Sequence, residues 1–487
     1  MNVLVILAPS LIAAALAAIP TQRPRWAPTL TVVATLLTLA LTANMAWQIA
    51  SGRAIAVGDD PRWSNWVAVD GLSVLILLLI ALVGTTAAIY SIGYLAHARP
   101  TPRRVRLYHV NYNLFIFSML AIPLLAEPTL VWIVVELTTL CSALLVSFDN
   151  TAEALEAAWK YVVLSLMGAG IALFGFLVLF AALHAAGDTV YTWEGLRHAA
   201  SRMPPLLMQT AFLLILVGLG TKVGLVPMHT WLPDAHSQAP SPVCALLSGI
   251  ETTSILYVIL RLFPVMSAVP GAHAETWALV LGLVSVGTAA FLLLQVSDYK
   301  RLFAFSTVEH MGIILVAVGL GASAADYGAT QQIVNHAVTK SFCFFAAGAT
   351  LLSVETRRIE NVRALIRRSP IAGAALIFGG LAIAGAPPLA VFLSEFTIMK
   401  AGIAQGHYLA TALLALFIVI AFFGVMGHLN RMVFSAPSDD AAIERAVLPV
   451  SCRLVLVVAA IPVLVLGVYV PPPLHDLLTR AAAVLSR

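Results

Sequence analysis

Apolar stretches about as long as a bilayer is thick follow one another along the whole chain, which fixes its class before any motif is considered. A helix needs ~20 apolar residues to cross the hydrocarbon. Runs of that kind lie near 2–20, 28–50, 70–95, 108–125, 127–147, 158–185, 206–226, 240–263, 274–296, 301–322, 329–353, 370–403, 405–430 and 447–471. These fourteen stretches predict an all-α integral membrane protein, because a helix satisfies its own backbone hydrogen bonds in lipid. Composition agrees. Only 10% of the 487 residues are charged and 60% are hydrophobic, with a mean hydropathy of +0.95, whereas a soluble domain carries about 25% charged residues. A soluble enzyme, a nucleic-acid binder and a disordered scaffold are therefore excluded. The longest polar stretches, near 97–107, 186–204, 354–369 and 435–446, are too short for a soluble domain, so function is expected within the membrane. The stretch Met1 to Pro20 has no basic leading region and reads as a retained helix, not a cleaved signal.

Cys141, Cys244, Cys343 and Cys452 stand singly, with no CxxC and no Cys/His group of metal-ligand spacing. No cofactor or metal is expected in this chain, and any redox chemistry belongs to a partner. His229 and His236 flank Asp234 in HTWLPDAH, but no third ligand follows at a suitable spacing, and Pro233 with Asp234 reads as a turn.

The formal net charge of +4 carries information through its placement. Loops after the first, third, fifth, ninth, eleventh and thirteenth stretches hold 17 basic residues, including Arg23, Arg25, Arg99, Lys300 and Arg357 to Arg368. The opposite face holds 7, among them Arg53, Arg62, Arg261 and Arg487. By the positive-inside rule the first face is cytoplasmic, so both termini are expected outside.

Charged residues also stand inside the spans: Glu136, Lys222, Glu251, Glu309 with His310, His336 with Lys340, and Glu395 with Lys400. A charge at the bilayer centre costs ~2.5–3.5 kcal/mol on insertion scales. One such residue is as readily a structural ion pair or a snorkelling end group, and Lys300 and Lys400 fit snorkelling. A set spread over half a dozen helices points instead to a proton relay, since a buried acid–base pair that can be made and broken is a switchable proton site.

Two spans are interrupted. Lys222 stands between Gly220 and Gly224 with Pro227 beyond, and GAPP, Gly385 to Pro388 with Pro387 inside it, precedes Glu395. Broken helices in corresponding positions of two halves mark a transport path. Their separation by five spans suggests a five-helix repeat whose second copy is upside down. The expected organisation is residues 1–107 (three leading helices), 108–263 (first repeat), 274–430 (inverted second repeat) and 447–487 (last helix and C-terminus).

Lys222 to Gly249, KVGLVPMHTWLPDAHSQAPSPVCALLSG, resembles the signature of the antiporter-like subunits of respiratory complex I, related to Mrp antiporters and membrane-bound nickel–iron hydrogenases. DYKRLFAFSTVEHMGIIL, VNHAVTKSFCFFAAG and GAPPLAVFLSEFTIMKAG agree, and the VEHMG and HSQAPSP wording is most similar to hydrogenase-4 component F. The resemblance implies fourteen helices with the seventh and twelfth broken, and proton translocation driven by a partner's redox reaction. Glu136 matches the fifth-helix glutamate that pairs with the seventh-helix lysine, here Lys222. Glu395 matches the ionisable residue of the twelfth helix, and His336 and Lys340 the eleventh-helix part of a central polar axis. Some relatives carry Lys or His in the eighth helix, where this chain has Ser248 and Thr253 with Glu251 nearby, so His310 or water would bridge the middle. The short stretch after 471 implies no long lateral helix. Also implied are other membrane and peripheral subunits, with iron–sulfur or nickel–iron centres in the partners. The location would be the bacterial inner membrane, with protons or sodium as the ion. An Mrp-type cation/proton antiporter subunit, a scaffold with an idle channel and a helper of inorganic-carbon uptake remain alternatives.

Overall fold

The computed structural model describes residues 3–20, 26–53, 55, 66–98, 100–436 and 445–486. Arg23, Arg25, Arg62, Arg99 and Arg487, used above to weigh the two faces, lie outside the described residues. Among the described residues twelve helices are long and apolar enough to cross a membrane, with two shorter apolar helices, Val3–Ala18 and Pro370–Ile383. In chain order we label α1 (Val3–Ala18), α2 (Trp26–Ala50), α3 (Gly71–Ala98), α4 (Pro102–Leu124), α5 (Pro128–Val146), α6 (Ala152–Ala185), α7 (Pro205–Val223) and α8 (Trp231–Gln238). There follow α9 (Ser241–Met266), α10 (Ala274–Leu293), α11 (Tyr299–Gly319), α12 (Ser323–Val354), α13 (Pro370–Ile383), α14 (Ala390–Ala404), α15 (Tyr408–Phe434), α16 (Val450–Val468) and α17 (Pro472–Leu485).

Helix starts are set by local chemistry. Glu127 accepts from the amides of Thr129 and Leu130 ahead of Pro128, at the head of α5, and Asp298 does the same for Lys300 and Arg301 at the head of α11. Each carboxylate satisfies amides that have no partner in the first turn and complements the helix dipole.

Burial separates a core from a lipid-facing shell. The apolar window of α9 is 100% buried and that of α11 94%, against 28% for α15 and 33% for α16. The all-round apolar sequence of α9 thus reflects enclosure by protein, while α15 and α16 are apolar because they face lipid. Helices pack closely where glycines meet. A Cβ on Gly218 of α7 would lie 2.4 Å from the Ala172 amide of α6, and one on Gly282 of α10 would lie 2.8 Å from the Gly312 carbonyl oxygen of α11. Small residues allow this approach between helices in lipid.

Both interruptions follow one pattern. The α7 helix ends at Gly224 (φ +87°), whose amide and that of Leu225 return to the Gly220 carbonyl, with Pro227 three residues on. The α13 helix ends before Gly385 (φ +70°), and Pro388 again follows after three residues. Positive φ is what glycine supplies at a helix C-terminus. Freed backbone groups are recaptured by side chains: Trp231 donates its indole N–H to the Thr221 carbonyl (2.7 Å) and Ser285 accepts from the Val226 amide (3.1 Å).

Two sequence expectations are corrected. Pro233 and Asp234 lie in the first turn of α8, not in a turn. Lys300 does not snorkel: it is 1% exposed and donates to the carbonyls of Ser237 (3.0 Å) and Ala239 (2.5 Å), so the C-terminal end of α8 draws it inward. The segment beyond the last span forms α17, whose buried face carries Leu477, Leu478, Ala481 and Leu485 while Thr479 and Arg480 are exposed.

Arg261, near the end of α9, pairs with Asp70 at the head of α3 and donates to Tyr257 Oη (2.8 Å) and Ser73 Oγ (2.7 Å). Burial raises the Asp70 carboxyl, but the Arg261 guanidinium beside it and the Ser73 amide outweigh this and hold it below the usual aspartate range. A depressed carboxyl stabilises the fold above its unfolded pKa and loses that contribution as pH falls through the folded one. We therefore expect Asp70→Asn to lower stability by about 2 kcal/mol at neutral pH. In thermal unfolding of the purified complex the difference from wild type should vanish as pH drops below the normal aspartate range. The α6–α7 crossing makes a second prediction. Gly218→Val should cost ~1–3 kcal/mol by overpacking, whereas Gly170→Val, with no atom within 4 Å of its Cβ, should leave the unfolding temperature unchanged.

Candidate functional site

The buried polar residues form a line through the core that starts on α5, α7 and α9. Lys222, in the last turn of α7 before the break, is 2% exposed. Its ammonium donates to the Val135 carbonyl (2.7 Å), to Thr138 Oγ1 (2.7 Å) and to Thr139 Oγ1. Three acceptors match its three protons. Its ion-pair partner is Glu251, with Nζ 3.6 Å from Oε1.

That pairing corrects the expectation that Lys222 pairs with Glu136. The Glu136 carboxylate feels the Lys222 charge but makes no ion pair with it, and neither of its oxygens has a hydrogen-bond partner. The cause is local. Residues Leu247–Glu251 form a π-helical turn in α9, a form that often appears at functional sites. Glu251 is thereby aimed at Lys222, in the helix whose lack of Lys or His left the middle of the relay open. Tyr161 of α6 donates to the same Oε1 (2.9 Å) and bonds Ser142 Oγ (2.7 Å), while Glu251 Oε2 has no partner.

The line continues onto α11 and α12. His336 Nε2 faces the Ser248 carbonyl at 3.1 Å, so that nitrogen carries the proton, and Nδ1 is a buried acceptor without a partner. The rings of His336 and His310 lie 5.3 Å apart. His310 is fully engaged: Nε2 meets the Ile383 carbonyl (3.0 Å) at the end of α13, and Nδ1 accepts from Gln332 Nε2 (2.7 Å). Gln332 in turn accepts from Ser394 (2.5 Å), to which Asn335 donates (3.0 Å). His310 therefore caps the broken helix at Ile383 as well as standing in the line.

Lys340 is fully buried and donates to the Phe303 carbonyl (2.5 Å) and to Ser306 Oγ, with no carboxylate in ion-pair contact. Glu309 of α11 is 4% exposed and feels the charges of Lys340 and Glu395. Glu395 leans into the second break: a Cβ on Gly385 would fall 2.3 Å from its Oε2, so the glycine leaves the room the carboxylate occupies. Pro227, Pro387 and Pro388 all lie in the connections between half-helices.

Of the residues singled out in the sequence, the structure brings Lys222 together with Glu251 and His336 with His310, while Glu136, Lys340 and Glu395 stand apart from these two pairs without a hydrogen bond or ion pair to them. Sequence reading missed Tyr161, Ser142 and the Thr138/Thr139 cradle, which look like ordinary hydroxyls in apolar helices. It noted Glu309 without giving it a role; its place beside His310 in VEHMG was the available signal. Among the described residues no group of three or more His, Cys, Asp or Glu is placed to hold a metal ion.

Comparisons with known proteins give the family and the fold. Residues 126–423 match the family described as NADH:quinone oxidoreductase/Mrp antiporter, TM, and residues 64–104 match the NADH-ubiquinone oxidoreductase (complex I) chain 5 N-terminus. The chain is 37% identical to a hydrogenase-4 component F homolog of Methylacidiphilum infernorum over 88% of its own length and 90% of that protein's. It is 26% identical to NADH-quinone oxidoreductase subunit N of Desulforudis audaxviator, over 84% and 82% of the two chains. Its fold matches a chain of the archaeal membrane-bound sulfane sulfur reductase (TM-score 0.88, 24% identity, covering 99% and 97%). It also matches a chain of the Mrp complex of Dietzia sp. DQ12-45-1b (TM-score 0.86, 18% identity, covering 99% and 96%). With its buried lysines, glutamates and histidines strung between two broken helices, the chain belongs to the transmembrane family of complex I and Mrp antiporter subunits.

Proposed function

We propose that this chain is the proton-translocating membrane subunit of a redox-driven complex related to hydrogenase-4 and complex I. In this reading the chain crosses the membrane fourteen times. Residues 108–263 and 274–430 are two inverted five-helix repeats, and both termini lie on the outer side of a bacterial inner membrane. The matching Gly-x-x-Pro breaks at 224–227 and 385–388 support the repeat, and the excess of basic residues on one face supports the orientation. Electron-transfer centres, iron–sulfur or nickel–iron, belong to partner subunits.

The observation that carries the reading is the buried pair Lys222–Glu251 beside the unpartnered Glu136. One ammonium stands between two carboxylates and is held by one of them. Protonating Glu251 removes the charge that holds Lys222, which then turns toward Glu136. Taking one partner from a buried ion pair costs ~3–5 kcal/mol, so a proton arriving at Glu251 does considerable electrostatic work on its neighbour. Movement of one charge against 100 mV requires ~2.3 kcal/mol, within that range. Beyond Glu251, the open Nδ1 of His336 receives the proton. Lys340, with Glu309 beside it, passes it on, and Glu395 at the second break releases it. His310 keeps the Gln332–Ser394 arm and the end of α13 in place.

The test is proton uptake by vesicles holding the intact complex and energised through its redox partner. Lys222→Ala and Glu395→Gln should each cut proton uptake by about tenfold or more, equivalent to at least ~1.4 kcal/mol on the limiting step, while partner electron transfer partly survives. Unchanged uptake in both variants would sink the relay and leave an anchoring role. A strict sodium requirement for uptake would instead mark a cation/proton antiporter of Mrp type. Within the line, His336→Ala should slow uptake and, by freeing the buried Ser248 carbonyl, lower the unfolding temperature as well. His310→Ala should lower the unfolding temperature by exposing the Ile383 carbonyl.

A further inference from the structure

The relay just proposed says where protons go from Glu251 but not how Glu251 is loaded, and the surroundings of that carboxylate contain a route. Tyr161 is fully buried. Its hydroxyl touches two partners, Glu251 Oε1 at 2.9 Å and Ser142 Oγ at 2.7 Å. An ionised carboxylate can only accept, so the Tyr161 proton points at Glu251, and the Tyr161 oxygen is free to accept from Ser142. The Ser142 hydroxyl has one proton and a choice of acceptors, the Thr138 carbonyl at 2.7 Å and Tyr161 Oη at 2.7 Å. It therefore has a conducting position and a resting one. At the end of the chain, Glu251 Oε2 is buried without a partner.

The direction of this chain follows from the helices that carry it. Ser142 lies four residues before the end of α5 at Val146, about 6 Å at 1.5 Å per residue. Thr138 and Thr139, which hold Lys222, lie one turn deeper. Beside Tyr161 in sequence, Lys160 reaches the bundle end, where it pairs with Asp234 (3.2 Å), which also binds Arg301 (2.5 Å). The Trp231 ring lies 4.5 Å from that of Tyr161 and shields the hydroxyl chain from the break.

We propose that Ser142 and Tyr161 form the inlet that loads Glu251 with protons from the end of the bundle where α5 joins α6. The step balances as a concerted transfer. The Tyr161 O–H bond breaks as its proton joins Glu251 Oε1, Tyr161 Oη takes the Ser142 proton, and Ser142 Oγ, itself fully buried, takes one from a hydronium that enters from that end and is left as neutral water. One proton moves inward, Glu251 becomes neutral, and neither hydroxyl keeps a charge. The proposal rests on the relay reading, deepens it at one residue, and depends on the hydroxyls of two residues outside the ionisable set.

Vesicles holding the intact complex, energised through the redox partner, test it with Tyr161→Phe, Ser142→Ala, Ser142→Thr and Lys222→Ala in parallel. Tyr161→Phe and Ser142→Ala should each slow proton uptake roughly ten- to hundredfold, the scale lost with a proton-transfer group, and Ser142→Thr should restore it. Slow uptake in Tyr161→Phe with normal uptake in Ser142→Ala would overturn the inlet, because Tyr161 would then only position Glu251. Normal uptake in both beside a blocked Lys222→Ala would also overturn it while the relay stands. Normal uptake in all variants would remove the relay itself. Should Tyr161→Phe fail to assemble, the Ser142 pair decides alone, since neither substitution disturbs the Tyr161–Glu251 bond.

Discussion

An ammonium group sealed inside a membrane protein needs its compensation on the spot, and much of the architecture can be read as the means of supplying it to Lys222. The break after Val223 ends the helix in time for the side chain to reach three oxygens of α5. The π turn of α9 turns a carboxylate toward it. Trp231 and Ser285 take up backbone groups that the break sets loose, as membrane depth requires. Each of these features alone would be a defect in an apolar bundle. Together they hold one positive charge where neither lipid nor bulk water touches it.

The second half of the chain solves the same problem differently. Lys340 is held by a carbonyl and a hydroxyl, and no carboxylate pairs with it, although Glu309 is near enough for its charge to be felt. Glu395 lies against Gly385 at the other break. One half therefore contains a closed ion pair and the other an open set of groups. Charge displaced along the line changes the field at the next buried group with little screening, because a low-dielectric interior strengthens every such interaction.

How much of this was legible beforehand depends on which physical signal each residue leaves in the sequence. Hydropathy is cumulative over twenty residues, so the spans and both breaks were readable, and a lysine at position 222 or a glutamate at 395 stands out in apolar surroundings. Who pairs with whom was not readable. The π turn at Leu247–Glu251 is a change in backbone hydrogen-bond register, and LSGIE contains no proline to announce it. Lys300 looked like a helix-end residue because its acceptors, at the end of α8, come from 63 and 61 residues away. The hydroxyls of Ser142 and Tyr161 were invisible for the opposite reason: such residues are common in membrane helices, and only a distance distinguishes these two. The last helix, α17, escaped because its apolar face is too narrow to register in a window sized for a membrane span.

The glycine contacts between α6 and α7 and between α10 and α11 have a mechanical consequence. At those crossings a single added methyl has no space, and close-packed interiors resist deformation. Both seams join helices within one half of the chain, α6 to α7 in the first and α10 to α11 in the second, so they stiffen each half and leave the contact between the halves untouched. Inside a half stiffened in this way helices have little room to slide, and the rotation of side chains is the movement left to it.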